Sequence, residues 1–106
     1  MTTDTETPVL DLLEAMTADS IEATTLDRET LMLVRIAALV AMDAPPASYV
    51  MNLGVASEIG ITEEHVRGVL TAVAPIVGTA RVASATTNIV RALAFAIETA
   101  ELDEDE

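Results

Sequence analysis

The segment Leu31 to Met42 constrains the fold more than any other part of the chain: eleven of its twelve residues are apolar, and only Arg35 is charged. Asp27 is placed to cap a helix through this segment, and Ala44-Pro45-Pro46 ends it near Asp43, a length of roughly 25 Å at 1.5 Å per residue. A helix apolar on nearly every side is buried all round. One chain of 106 residues has few elements with which to surround it. The sequence therefore predicts an all-α domain that associates with copies of itself.

The rest of the chain is punctuated into four further helices, and no strand-period alternation or internal repeat stands out. Residues 1–7 (MTTDTET) are polar and aperiodic, which predicts a disordered acidic tail. Thr7-Pro8 opens a first helix, with threonine as cap and proline at the first helical position, running through Leu10, Leu12, Leu13 and Met16 and ending near Thr17 to Ser20. Ile21 to Thr25 reads as a connector whose Ile21 tucks under the core. Pro46 begins the third helix, through Tyr49, Met51, Leu53 and Val55 to a C-cap at Gly60. Thr62 caps the fourth, with Glu63 and Glu64 in the first turn where the helix dipole favours acids, and Pro75 marks a kink or stop before Gly78.

The fifth helix is expected from about Thr79 to Ala100. Its apolar face holds Val82, Ala85, Ile89, Leu93 and Ala96, and Phe95 sits near the edge of its polar stripe. That stripe is Arg81, Ser84, Asn88 and Arg91, spaced i, i+3, i+7, i+10. It reads as a solvated or interfacial face, or as a grip on the acidic tail of a neighbouring subunit. The domain plan is an acidic tail over 1–7, a helical domain over 8–100 and an acidic C-terminal tail over 101–106.

Charge and composition exclude several classes of function. Net charge is −13, carried by the ends: residues 1–30 hold eight acids against Arg28, and residues 98–106 hold six against none. The middle of the chain is neutral, with four acids and four arginines. Phosphate recognition needs clustered Lys and Arg, so nucleic acid and anionic membrane surfaces are disfavoured as partners. The longest apolar run is too short to span a bilayer, no leader-like pattern stands at the N-terminus, and a cytoplasmic location is expected. Zero cysteines remove thiol and disulfide chemistry, and the single histidine, His65, leaves imidazole-rich metal sites without ligands. No cofactor and no metal is called for. Hydrophobic residues make up 51% with one Phe, one Tyr and eighteen Ala, more apolar area than a five-helix monomer usually hides.

Several local patterns, in order, resemble the carboxymuconolactone decarboxylase and alkylhydroperoxidase D-like superfamily. They are Leu26-Asp27-Arg28-Glu29 opening an apolar helix with Arg35, then Gly60-Ile61-Thr62-Glu63-Glu64, then Val77-Gly78-Thr79-Ala80 opening a long helix; together they span residues 26–97. The resemblance implies an all-helical fold of about five helices assembling as a trimer or hexamer, whose central helices supply both core and subunit interface. The peroxidase branch carries Cys-x-x-Cys-x-x-x-His, and the matching positions here are Pro45, Ser48 and Asn52, with Leu33 near the position of the glutamate that feeds the proton relay. A peroxidatic thiolate is oxidised and then resolved by a second thiol, which neither Pro45 nor Ser48 can do, and the Asn52 amide cannot relay a proton. The decarboxylase branch keeps a histidine where Asn52 stands, and aromatic or histidine residues around Ala72 to Ile76, so lactone decarboxylation has no residue-level support.

Four residues remain as candidates for binding a small anionic molecule: Arg35, Ser48, Tyr49 and Asn52. Arg35 must find carboxylates or carbonyls, and two readings stay open, a structural ion pair with an acid such as Glu14 or Glu58, within a chain or across an interface, or an anchor for a bound carboxylate. Ser48 and Asn52, one turn apart, suit a polar pocket wall or a hydrogen-bonded pair. Serine catalysis would need a base, and His65 lies in another helix. Tyr49 reads as a packing residue with its hydroxyl at the surface, or as a hydrogen-bond donor to a ligand. His65 reads as a surface group held by a nearby acid. The functional expectation is a Cys-less family member that binds or turns over a small anion without redox chemistry; the alternative is a non-catalytic structural or oligomeric interaction protein.

Overall fold

The computed structural model describes the backbone of residues 7–105 and the side chains of residues 7–94. Expectations for residues 1–6 and 106, and for the side chains of Phe95 and Ala96, lie outside the described residues. Five helices follow one another: α1 (Pro8–Ala23), α2 (Arg28–Ala41), α3 (Pro46–Glu58), α4 (Glu63–Val77) and α5 (Thr79–Asp105). No strand occurs among the described residues.

The boundaries follow from local chemistry. The Asp27 carboxylate accepts from the Thr30 N–H at 2.7 Å and so caps α2. That bond favours the ionised form and holds the Asp27 pKa below its usual 3.8. Pro46 stands at the first position of α3, and the chain turns out of that helix through Gly60 at φ +94°, where Ile61 N–H reaches back to Ala56 O at 2.9 Å. At α4, the Thr62 hydroxyl accepts from His65 N–H at 3.3 Å, and His65 Nδ1 accepts from Thr62 N–H at 2.9 Å. The imidazole thus fills the place glutamate usually takes in a capping box. Pro75 neither stops nor shortens α4, which runs on to Val77 and ends at Gly78, φ +91°.

Three expectations are corrected here. Helix α1 does not end near Thr17 to Ser20 but continues to Ala23, because no glycine or proline interrupts Thr17 to Ala23. Thr7 makes no side-chain cap; its hydroxyl donates instead to Asp11 Oδ2 at 3.3 Å. Helix α5 passes Ala100 and continues to Asp105.

The core is a sandwich of α2, α3, α4 and α5. Tyr49, Ala44, Ile89 and Ala92 form one buried cluster, with Leu39, Val50, Leu53, Val66 and Leu70 packed around it. Met32, Ala56 and Ile61 form a second. Alanines at 44 and 92 let the backbones approach, and the space they leave admits the one tyrosine ring. Helix α2 buries Leu31, Met32, Ile36 and Val40, while Val34 stays 51% exposed and Met42, just past its end, 78%. Within one chain it therefore buries a face and not its circumference.

Helix α1 stands apart. None of its residues is buried, and Val9, Leu10, Leu12, Leu13 and Met16 are all exposed. The radius of gyration is 15.1 Å, against about 13 Å for a compact chain of this length. The accessible surface is 7442 Å², against about 5,700 Å² for a compact monomer of this mass.

Candidate functional site

Where α1 crosses α2 and α3 it leaves a cleft of about 320 Å³, lined by Leu13, Met16, Thr17 and Ser20 from α1, Arg35, Ala38 and Leu39 from α2, and Asn52 from α3. The sequence builds it simply. Leu13, Met16, Thr17 and Ser20 recur at helical spacing on the less acidic side of α1, and Arg35, Ala38 and Leu39 share one face of α2. The cleft is apolar with a few polar groups, the usual composition of a small-molecule site.

Arg35 is half-buried in this wall. Its Nη2 donates to Ser20 Oγ at 3.1 Å and to Thr17 O at 3.4 Å. Within the chain no ion pair with Glu14 or Glu58 forms: the arginine–carboxylate pair among the described residues is Arg67 with Glu63. Both partners of Arg35 are neutral, so its charge has no counter-ion among the described residues. Nη1 and Nε, which carry three N–H groups of the guanidinium, make no hydrogen bond among the described residues.

Asn52 lines the same cleft, and its amide donates to the Ser48 carbonyl at 2.9 Å. The Ser48–Asn52 pair of the sequence reading thus exists, through the Ser48 backbone. Ser48 itself is not among the lining residues. Tyr49 is not either, and the expectation of a surface hydroxyl fails: the residue is fully buried and its hydroxyl has no hydrogen-bond partner. Burial, with the nearby Asp43 carboxylate second, pushes its pKa above the usual 10.0. Of the four predicted residues, the structure brings Arg35 and Asn52 together and sets Ser48 and Tyr49 outside the cleft.

The polar stripe on α5 has a use that the sequence reading missed. Arg81 Nη1 donates to Ala41 O at 2.6 Å, Ser84 Oγ donates to Asp43 Oδ1 at 2.6 Å, and Asn88 Nδ2 donates to Ala44 O at 3.2 Å. Three of its four members therefore clamp the turn between α2 and α3, while Arg81 and Arg91 remain exposed. Asp43 adopts φ +56°, which the short turn requires and an aspartate tolerates better than most residues. The clamp fixes α3 against α2 and so sets the far wall of the cleft. His65 is also tied in: Nδ1 serves the cap, so the ring proton sits on Nε2, 3.5 Å from Glu29 Oε2 of α2.

The lining residues Leu13, Met16, Thr17, Ser20, Ala38 and Leu39 were not singled out from sequence. Their only signal was the apolar face of the first helix, which reads as core. No helix among the described residues is long and apolar enough to cross a membrane. No curated protein and no solved structure matches the chain. The model of the Carboxymuconolactone decarboxylase family matches residues 7–96, from the start of α1 through most of α5, and the chain belongs to that family.

Proposed function

We propose that this protein is a binding scaffold of its family, working without redox chemistry, that takes a small anionic molecule at Arg35 and acts as a homo-oligomer, a trimer or hexamer. The observation that carries the reading is a guanidinium with no carboxylate partner among the described residues, lining a cleft of about 320 Å³. A permanently charged group left so far from a counter-ion is stabilised by an anion that reaches it. Asn52, at the position where the family's histidine stands, shapes the wall and offers no proton relay. With no cysteine in the chain, hydroperoxide reduction by a thiol has no nucleophile.

Titration calorimetry with small carboxylates tests the reading. Arg35→Gln should weaken binding at least tenfold, about 1.4 kcal/mol. If no carboxylate gives a saturable heat with the wild-type chain, the reading fails.

A second reading, a purely structural or interaction protein, is favoured by the surface. The chain exposes roughly 1,800 Å² more than a compact monomer of its mass would, on the scale of a stable protein interface. Val34, Met42, Met51, Val55 and Ile76 contribute to that surface alongside α1. Saturable, Arg35-dependent ligand binding distinguishes the two readings, since both predict an oligomer.

A further inference from the structure

Resting on the Arg35 cleft as an anion site, we propose that its ligand is a monocarboxylate with an apolar body of medium-chain size, and that α1 is the wall that seats on that body. Three observations converge on this class.

The first is charge. Arg35 is the only cationic residue among those lining the cleft, and one N–H of the Asn52 amide is taken by the Ser48 carbonyl. One carboxylate can be met by the open N–H groups of Arg35. The Ser20 hydroxyl accepts from Nη2 and keeps its own proton to donate. A second or third carboxylate would find no further cation among the lining residues. Di- and tricarboxylates are therefore selected against.

The second is shape and lining. Apart from Arg35, Asn52, Thr17 and Ser20, the walls are Leu13, Met16, Ala38 and Leu39. The cleft is an open groove of about 320 Å³, so its volume sets no upper bound on a ligand but gives an apolar body of medium-chain length room to lie along the wall. A short polar anion such as acetate would leave most of the apolar wall wet.

The third is the state of α1. Leu13 and Met16 line the cleft yet remain 46% and 56% exposed, and no residue of the helix is buried. The described hydrogen bonds tying α1 to the bundle are the two from Arg35, at 3.1 and 3.4 Å. An apolar body in the cleft would cover Leu13 and Met16, and its carboxylate would sit on the same guanidinium that holds α1. Ligand and helix are thus coupled through one side chain.

The test uses the full chain with methionine methyl groups labelled for NMR, titrated separately with sodium octanoate, sodium acetate, sodium succinate and 1-octanol. Octanoate should bind at least tenfold tighter than acetate or succinate and shift the Met16 methyl resonance saturably. Arg35→Gln should weaken octanoate tenfold or more and leave 1-octanol nearly unchanged. Arg35→Lys, which keeps the charge but not the planar fork, should fall between, with helical circular dichroism as the check that it is folded. Leu13→Ser should weaken octanoate and not acetate.

Acetate or succinate binding as tightly as octanoate, with Arg35 required for both, would overturn this ligand class while leaving the anion site standing. Unchanged octanoate affinity in Leu13→Ser would overturn the role of α1. Octanol binding as tightly as octanoate, or no carboxylate binding at all, would remove both the class and the site.

Discussion

Tyr49 and Arg35 are the two residues at which polar chemistry is left uncompensated, and they differ in kind. The Tyr49 hydroxyl is buried with no partner, and a buried unsatisfied group of this type costs about 1–3 kcal/mol. Tyr49→Phe removes the hydroxyl and keeps the ring, so it should raise the stability to urea unfolding by about 1 kcal/mol; a lower midpoint would mean that the hydroxyl has a partner in solution. The raised pKa gives a second expectation of definite sign. The folded state favours the neutral phenol, so its contribution is intact below the ordinary 10.0 and is lost as the pH climbs above it. Tyr49 is the one tyrosine and the chain has no tryptophan, so phenolate absorbance should appear only above pH 10 and together with loss of helical signal. A simple titration at the ordinary value in folded protein would contradict the burial. Arg35 is the opposite case, half-exposed and available, and its charge is open to a ligand.

At the scale of elements, the turn between α2 and α3 carries more of the architecture than its length suggests. It holds a left-handed aspartate and takes three hydrogen bonds from α5. Ser84→Ala should cost about 1 kcal/mol, and pairing it with Asp43→Ala in a double-mutant cycle should show coupling of the same order; additive effects would mean that the 2.6 Å bond contributes nothing in solution. The helices themselves were legible from sequence because their punctuation is local: Asp27, Pro46, Gly60, Thr62 and Gly78 act through their own backbone neighbours. The same locality explains the errors. Nothing near Arg81, Ser84 and Asn88 reveals that their partners lie forty or more residues earlier. For Tyr49, neighbouring residues do not show that Ala44 and Ala92 make room for the ring. Half of the site was readable for the same reason: the charge of Arg35 and the family position of Asn52 stand out in sequence, whereas the α1 wall depends on how two helices cross.

The whole molecule combines a neutral helical body with a charge of −13 placed largely at its ends. Its surface excess and the uncovered apolar side chains of α1 favour association, while the charge opposes it. Screening shortens the range of that repulsion from about 10 Å at 0.1 M salt to about 3 Å at 1 M. Sedimentation should therefore show trimers or larger species, with their share rising between 0.05 and 0.5 M sodium chloride on the order of these screening changes. A monomer at every salt concentration would refute the assembly.

Anion binding in the cleft rests on the guanidinium of Arg35. With five arginines in the chain, the side-chain Nε–Hε resonances are few enough to assign, and that of Arg35 is the one lost in Arg35→Gln. Titrating a carboxylate into the wild-type chain should shift this resonance saturably while those of Arg28, Arg67, Arg81 and Arg91 stay in place. An Arg35 resonance that does not move, or five that drift together without saturating, would contradict the claim that the cleft holds an anion.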